Sequence, residues 1–202
     1  MIKYILPPLL ILLTACGGRY GRGLPTTESE ANAYFQAQAA QIPPISQMKP
    51  LMALVGDFDW EMRYTPYPGG KPIIFGGTCT FQPQFDGSWV VGNWYSTNNP
   101  SASNFISMLG YSTARKRYLF GSIDNHGVGP RGEGIDIDSN GAIFTIDYEM
   151  TMANVMDASR PILFKRRIEF IDANTINGTD YRSGWNGSLV PFSTMRLTRK
   201  DT

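Results

Sequence analysis

One short stretch of the chain alternates so regularly that only one kind of secondary structure accommodates it. In residues 57–64, DFDWEMRY, every second residue is large and apolar, and the residues between them are charged. Successive side chains of an extended chain point to opposite faces, so the stretch predicts a β-strand with one buried and one solvent-exposed face. The segment FTIDYEMTM, residues 144–152, repeats the pattern.

The rest of the chain after Gly56 is a series of similar segments separated by turn residues. Further strands are predicted at roughly 73–82, 88–96, 104–112, 116–124, 131–138, 161–171, 175–183 and 189–199. Pro-Gly, Asp-Gly and Asn-Gly pairs fall between them, and no helix of ordinary length interrupts the series. The pattern predicts an all-β fold of about ten strands, most simply closed as an antiparallel up-and-down β-barrel, because closure removes exposed strand edges. A β-sandwich is the alternative architecture.

A segment of different composition precedes the barrel. Residues 16–50 are rich in Gly, Ala, Gln and Pro, which predicts a tether followed by a short helix. Thr27 and Glu30 have the spacing of a capping box, which marks the start of that helix. A second helical stretch, from Gln47 to Val55, leads into the predicted β-barrel domain, residues 51–202.

The N-terminus has the organisation of an export signal. Lys3 supplies a positive charge, an apolar stretch runs over residues 4–13, and small residues follow at a cleavage point. The apolar stretch is too short to span a bilayer, which takes about 20 residues. The sequence LTAC at residues 13–16 resembles the lipobox of bacterial lipoproteins, in which the cysteine becomes the first mature residue. This resemblance implies that residues 1–15 are a lipoprotein signal peptide.

The lipobox resemblance also implies a membrane as partner. In such lipoproteins the cysteine, here Cys16, carries a diacylglyceryl group on its thiol and a further acyl chain on its amine, and two or three chains hold a protein stably on a bilayer. Gly17 stands where an Asp would resemble an inner-membrane retention signal. The expected location is therefore the outer membrane of a bacterial cell envelope, facing the periplasm. Cys79 is left unpaired, on the apolar face of a predicted strand.

Two motifs carry a resemblance to a known family. The stretch LVGDF at residues 54–58, followed by MLGYSTARKRYLFGSIDNHG, resembles the domain-of-unknown-function family DUF1579. Phe58 stands for the family's Trp and Ser112 for its Asp, and the resemblance covers roughly residues 51–200. It implies a calycin-like β-barrel, similar to lipocalins and fatty-acid-binding proteins, and brings no established reaction.

One predicted strand directs a charge toward the barrel interior. In PILFKRRIEFID the apolar face holds Phe164, Ile168 and Phe170, which turns Arg166 inward. A buried guanidinium needs an internal carboxylate or an anionic ligand. The predicted ligand-binding residues are Arg166, Tyr148, Tyr64 and Trp60. An internal ion pair, or a register break that turns Arg166 to solvent, is the alternative.

The segment DIDSNGAIFTID matches part of a calcium-binding loop. Asp136, Asp138 and Asn140 fit three of its ligand positions, and Asp147 stands at its last position. A strand that begins at Ala142 would carry Asp147 away from the loop, and a hairpin turn explains the same residues. No metal site is therefore predicted.

The remaining features set aside several classes of function. Lys and Arg number 18 against 17 Asp and Glu, without a long run of like charge, so nucleic acid is not an expected partner. No acid–base constellation can be assembled, so no cofactor is predicted and an enzyme is the least supported class. The leading expectation is a lipid-anchored barrel that binds a small, largely apolar or fatty-acid-like ligand, whose end group is acidic if it meets Arg166. The alternative is a non-catalytic envelope module with a solid barrel core.

Overall fold

The structure is a computed structural model. It describes residues 25–40, 45–67, 69–97, 104–125, 129–137, 141–154, 157, 159, 161–184 and 187–200. The chain forms two compact units, Met1–Ile42 and Pro43–Thr202. No helix within the described ranges combines the length and apolar character that a membrane span requires.

The first unit contains one helix, α1 (Glu28–Ala39). Its start is the capping box that the sequence predicts. Thr27 Oγ1 accepts a hydrogen bond from the backbone N–H of Glu30 at 3.2 Å, and Glu30 Oε2 accepts one from the backbone N–H of Thr27 at 3.1 Å. The backbone N–H of Thr26 also donates to this carboxylate and lowers the pKa of Glu30.

The second unit is a closed barrel of antiparallel strands, preceded by the short helix α2 (Ile45–Met52). The strands are β1 (Gly56–Tyr64), β2 (Ile73–Gln84), β3 (Trp89–Ser96), β4 (Phe105–Ser112), β5 (Arg117–Asp124), β6 (Arg131–Ile137), β7 (Phe144–Met152), β8 (Ile162–Phe170), β9 (Thr175–Ser183) and β10 (Leu189–Arg199). Each strand pairs with its neighbours in the sequence, and β10 closes the barrel on β1. The predicted ten-stranded up-and-down barrel is confirmed.

The alternation of side chains places the core inside the barrel. On β1, Phe58 and Trp60 are buried and Asp57 and Asp59 are exposed, as the period of two predicts. Since a shift of one residue would turn every apolar side chain outward, burial of one face fixes how the strands align. Trp60 accordingly pairs with the inward Leu197 of β10.

One irregularity in β10 departs from simple alternation. The register with β9 shifts between Pro191 and Ser193, as in a β-bulge. Phe192 packs against the core, and the next residue, Ser193, is buried as well. The bulge thus allows two consecutive side chains to serve the barrel interior.

Helix α2 covers one end of the barrel, the end at which β1 begins, here called the proximal end. Its residues Met48 and Leu51, with Leu54 just after it, are buried in the barrel core. Tyr118 Oη donates a hydrogen bond to the backbone carbonyl of Gln47 at 3.2 Å. The predicted helical stretch from Gln47 to Val55 is shifted toward the N-terminus, because the helix runs from Ile45 to Met52. Beyond Met52 the chain continues as single hydrogen-bonded turns as far as Val55.

Arg199 fastens the end of this helical segment to the barrel. Its Nη2 and Nη1 donate to the carbonyls of Ala53 and Val55 at 2.6 and 2.8 Å, and its Nε donates to Ala173 at 3.0 Å. The guanidinium carbon also lies 4.5 Å from the centroid of the Phe58 ring. One side chain thereby ties the helix end, a hairpin turn and the core together.

Arg199→Ala is expected to lower the free energy of unfolding by about 1–3 kcal/mol, because hydrogen bonds from a charged donor to three carbonyls are lost. Urea unfolding followed by Trp fluorescence measures the change. Arg196, exposed on the same strand, provides the control, and Arg196→Ala should change stability by less than about 0.5 kcal/mol. Equal losses in the two variants would contradict a specific role for Arg199.

Candidate functional site

The barrel is hollow toward its other end, here called the distal end. A cavity of about 470 Å³ extends from Leu54 to residues near the ends of the strands, such as Tyr64, Phe105 and Ile162. Ligand pockets in proteins measure roughly 300–1,000 Å³ and are lined mainly by apolar side chains. The cavity lies in this range, so the interior is not filled by the protein's own side chains.

Aromatic side chains form one wall of the cavity. Trp94 and Phe105 are stacked with ring centroids 4.8 Å apart. Trp94 Nε1 donates a hydrogen bond to Ser107 Oγ at 2.8 Å, which fixes the indole in the wall. Trp60 is buried against Trp94 and donates to the carbonyl of Thr78 at 3.1 Å, and it is not part of the cavity lining.

The opposite wall carries a buried ion pair between Arg166 and Asp180. Arg166 Nε and Nη2 donate to the two carboxylate oxygens of Asp180 at 2.7 and 2.8 Å. The two side chains are only 16% and 10% exposed. The guanidinium carbon also lies 5.0 Å from the ring centroid of Phe120, in cation–π geometry. Arg166 therefore faces inward as predicted, and the internal ion pair is the alternative that the structure shows.

Asp180 keeps the guanidinium of Arg166 protonated. Burial alone would lower the pKa of the guanidinium, but the charge and the hydrogen bonds of Asp180 outweigh burial and raise the pKa. Arg166 is consequently charged and forms, with Asp180, a pair without net charge.

Strand register places these groups in one row across the barrel wall. Tyr148 pairs with Arg166, and Arg166 pairs with Asp180. Asp180 then pairs with Ser193, and Ser193 with Tyr64. Four of the five, all except Tyr148, line the cavity. The alternation in TINGTDYRS, residues 175–183, indicates that Asp180 faces inward, although the sequence prediction did not include it.

Tyr148 is a buried hydroxyl next to this ion pair. Its Oη has no hydrogen-bond partner among the described residues. Burial, together with Tyr118, raises the pKa of Tyr148 despite the nearby Arg166, so the hydroxyl keeps its proton. Gly134 makes room for the ring, because a β-carbon there would lie 2.7 Å from Tyr148 Cδ1.

The other charged residues described around the cavity are one arginine and one aspartate. Arg182 and Asp124 line it together with Arg166 and Asp180, which gives two positive and two negative side chains. Arg182 Nη1 donates to the carbonyl of Pro66 at 3.0 Å. The described lining is therefore polar at a few points and carries no net charge.

The residues weighed as calcium ligands are not assembled into a site in the described part of the chain. Asp136 is exposed on β6, and Asp138 and Asn140 lie outside the described residues. Asp147 accepts two hydrogen bonds from Arg167, both at 2.7 Å, on the outer face of the barrel. Within the described ranges, no three His, Cys, Asp or Glu side chains are grouped as metal ligands.

The structure describes one of the two cysteines. Cys16 lies outside the described residues. Cys79 is free and buried on β2. Burial, with smaller effects of Asp57 and Asp59, raises the pKa of the Cys79 thiol to about 12. A thiol that keeps its proton at neutral pH is a weak nucleophile, so Cys79 acts as a core residue.

A second concavity, of about 870 Å³, lies on the outer face of the barrel. Its lining includes outward residues of both charges, such as Glu133 and Lys165, and exposed apolar ones such as Leu163. The interior cavity, in contrast, is surrounded by the barrel wall. A small apolar molecule is removed from water more completely inside the barrel, so the interior is the stronger candidate site.

Comparisons with known proteins give a matching family model and one solved structure of similar fold. A family model described as a protein of unknown function, DUF1579, matches residues 44–199. The crystal structure of Rv2717c from M. tuberculosis is similar with a TM-score of 0.55 and 12% identity, over 76% of this chain and 97% of that one. A redesigned β-barrel matches with a TM-score of 0.31 and 13% identity, over 74% of this chain and 94% of that one. The search of curated proteins found no match.

Proposed function

Because the chain belongs to the DUF1579 family, whose function is unknown, we propose its function from its own sequence and geometry. It is a lipid-anchored lipoprotein whose calycin-like barrel binds one small, largely apolar molecule. The observation that carries this proposal is the cavity of about 470 Å³ inside the barrel. A barrel of this kind either fills its interior with side chains or holds one small ligand. The cavity supports the second possibility over a structural module with a solid core.

The lining supports an apolar ligand with one polar feature. Most side chains around the cavity are aliphatic or aromatic, such as Phe105, Ile162 and Phe192. Burial of apolar surface contributes roughly 25 cal/mol per Å² to binding before the costs of association. The polar atoms of Arg166 stand on one wall and give a ligand a point of orientation.

The anchor in this proposal is Cys16. Support for it comes from the sequence LTAC at residues 13–16, behind a short apolar stretch that begins after Lys3. An acylated Cys16 followed by Gly17 places the protein on the outer membrane, facing the periplasm, in a bacterium with two membranes. Residues 17–42 separate this cysteine from the barrel unit along the sequence.

A fluorescence titration of the full-length chain tests the binding site. N-phenyl-1-naphthylamine, an uncharged apolar dye, should bind and take up excitation energy from Trp94, which lines the cavity. Gly178 also lines it, and the nearest atom to an added β-carbon there is Cε of Met195, at 3.3 Å. Gly178→Leu should therefore fill part of the cavity and weaken dye binding by roughly tenfold.

Gly121 supplies the matched control for this titration. It lies on β5 and faces the outside of the barrel. An added β-carbon there would be 4.0 Å from its nearest atom, Cε of Met108. Gly121→Leu should leave the affinity for the dye unchanged. Absence of dye binding to the unmodified chain, or equal affinities for the two leucine variants, would overturn the proposed binding site.

A further inference from the structure

We propose that the cavity selects an uncharged amphiphile, with a hydroxyl, ester or amide end group, over a fatty-acid anion. This inference rests on the proposed binding of a ligand inside the barrel and adds the chemical class of that ligand. It replaces the acidic end group that an inward arginine alone would suggest.

The first argument is that Arg166 already has its anion. Asp180 occupies two donors of the guanidinium with both carboxylate oxygens, at 2.7 and 2.8 Å. A ligand carboxylate at the same place would put two buried anions around one cation. Because burial of an uncompensated charge is costly, a second anion would bind only at the expense of the existing pair.

The second argument is that the charges of the described residues around the cavity sum to zero. The described charged residues around the cavity are two arginines and two aspartates, Arg166, Arg182, Asp124 and Asp180. Arg182 contacts the carbonyl of Pro66 and lies 5.8 Å from the Phe192 ring centroid. Arg182 is half-buried, so solvent screens its charge and it does not need an anionic ligand. A lining whose charges sum to zero favours a dipole over a net charge.

The third argument concerns the donors that remain. A guanidinium carries five N–H groups, and Asp180 engages one on Nε and one on Nη2 of Arg166. The other N–H groups of this cavity-lining residue are the available donors for a ligand oxygen. These groups donate to an uncharged acceptor oxygen without any change in the net charge of the site.

Competition between ligands of one chain length tests the inference. The full-length chain is loaded with N-phenyl-1-naphthylamine, and dodecanol, methyl laurate, laurate and dodecylammonium are added in separate titrations at neutral pH. Dodecanol and methyl laurate should displace the dye at concentrations about tenfold below those needed for either ion, because each ion brings an unpaired charge into the barrel. Laurate that competes as well as dodecanol would overturn the inference.

A variant of the ion pair reverses the expected order. Asp180→Asn removes the internal anion and leaves Arg166 uncompensated, so laurate should then compete better than dodecanol. Asp147→Asn, in the outer pair with Arg167, is the matched control and should keep the original order. Circular dichroism establishes that the variants are folded, and if Asp180→Asn is not, the order of the four ligands on the unmodified chain decides alone.

The failure of this inference is distinguishable from the failure of the proposed function. If the dye does not bind at all, ligand binding in the barrel is wrong. If the dye binds and laurate displaces it at least as well as the uncharged ligands, the cavity is a binding site for anions and only the inferred ligand class is wrong.

Discussion

Asp180→Ala is expected to lower the free energy of unfolding by about 3–5 kcal/mol, because it leaves the guanidinium of Arg166 charged and unpaired inside the barrel. The remaining neighbours of that guanidinium include the faces of Phe120 and Phe164, at 5.0 and 5.7 Å from its carbon. Cation–π contacts of this kind do not replace a carboxylate that accepts two hydrogen bonds. Chemical denaturation of the full-length chain measures the loss.

The neighbouring arginine on β8 provides a matched control for this prediction. Arg167 and Asp147 form a second two-point ion pair, but its side chains are 39% and 37% exposed. Solvent screens such a pair, so Asp147→Ala should cost less than about 1 kcal/mol. Similar losses in the two variants would show that burial is not what makes the Arg166 pair important.

A double variant separates the value of the pair from the cost of breaking it. Buried ion pairs can often be replaced by apolar residues of similar volume without loss of stability. Arg166→Met combined with Asp180→Leu should therefore unfold within about 1 kcal/mol of the unmodified chain. A double variant as unstable as Asp180→Ala would contradict this account of the site.

Cys16→Ala is expected to abolish incorporation of radiolabelled palmitate and to release the protein from membranes. The physical reason is that the acyl chains are the proposed anchor, and each buried CH₂ contributes about 0.8 kcal/mol to membrane binding. The measurement is labelling in a bacterial host, followed by separation of membrane and aqueous fractions.

Cys79→Ala is the control for the lipidation experiment. Cys79 is buried on β2 with a thiol pKa raised to about 12 by burial first of all, so it offers no accessible thiolate. This variant should keep its palmitate label and remain in the membrane fraction. Label retained in Cys16→Ala, or lost in Cys79→Ala, would rule out Cys16 as the lipidated residue.

The barrel was predictable because a strand with one buried face has apolar and polar residues in alternation, and this pattern is visible within a short stretch of sequence. The alternation of Phe58, Trp60 and Met62 with charged residues requires no knowledge of the partner strands. The capping box at Thr27 and Glu30 is equally local, and it forms as the spacing predicts. The alternation of side chains in residues 161–172 likewise predicted that Arg166 faces inward.

The site was less predictable because it depends on relations between distant segments. The partner of Arg166 is fixed by the register of β8 with β9, which brings Asp180 opposite it. The bulge after Pro191 places Phe192 beside the cavity against the prediction of simple alternation. The volume of the cavity depends on how all the inward side chains pack together. No short motif in the sequence predicts that volume.

The two neighbouring arginines of β8 have a consequence for folding. Arg166 meets a carboxylate inside the barrel, and Arg167 meets one outside, on β9 and β7 respectively. If β8 were aligned one residue out of place, Lys165 and Arg167 would turn inward and Arg166 would lose its buried partner. The charges of β8 thus favour one alignment of the strand. A misaligned barrel would bury positive charges without partners, and its free energy would lie above that of the native arrangement.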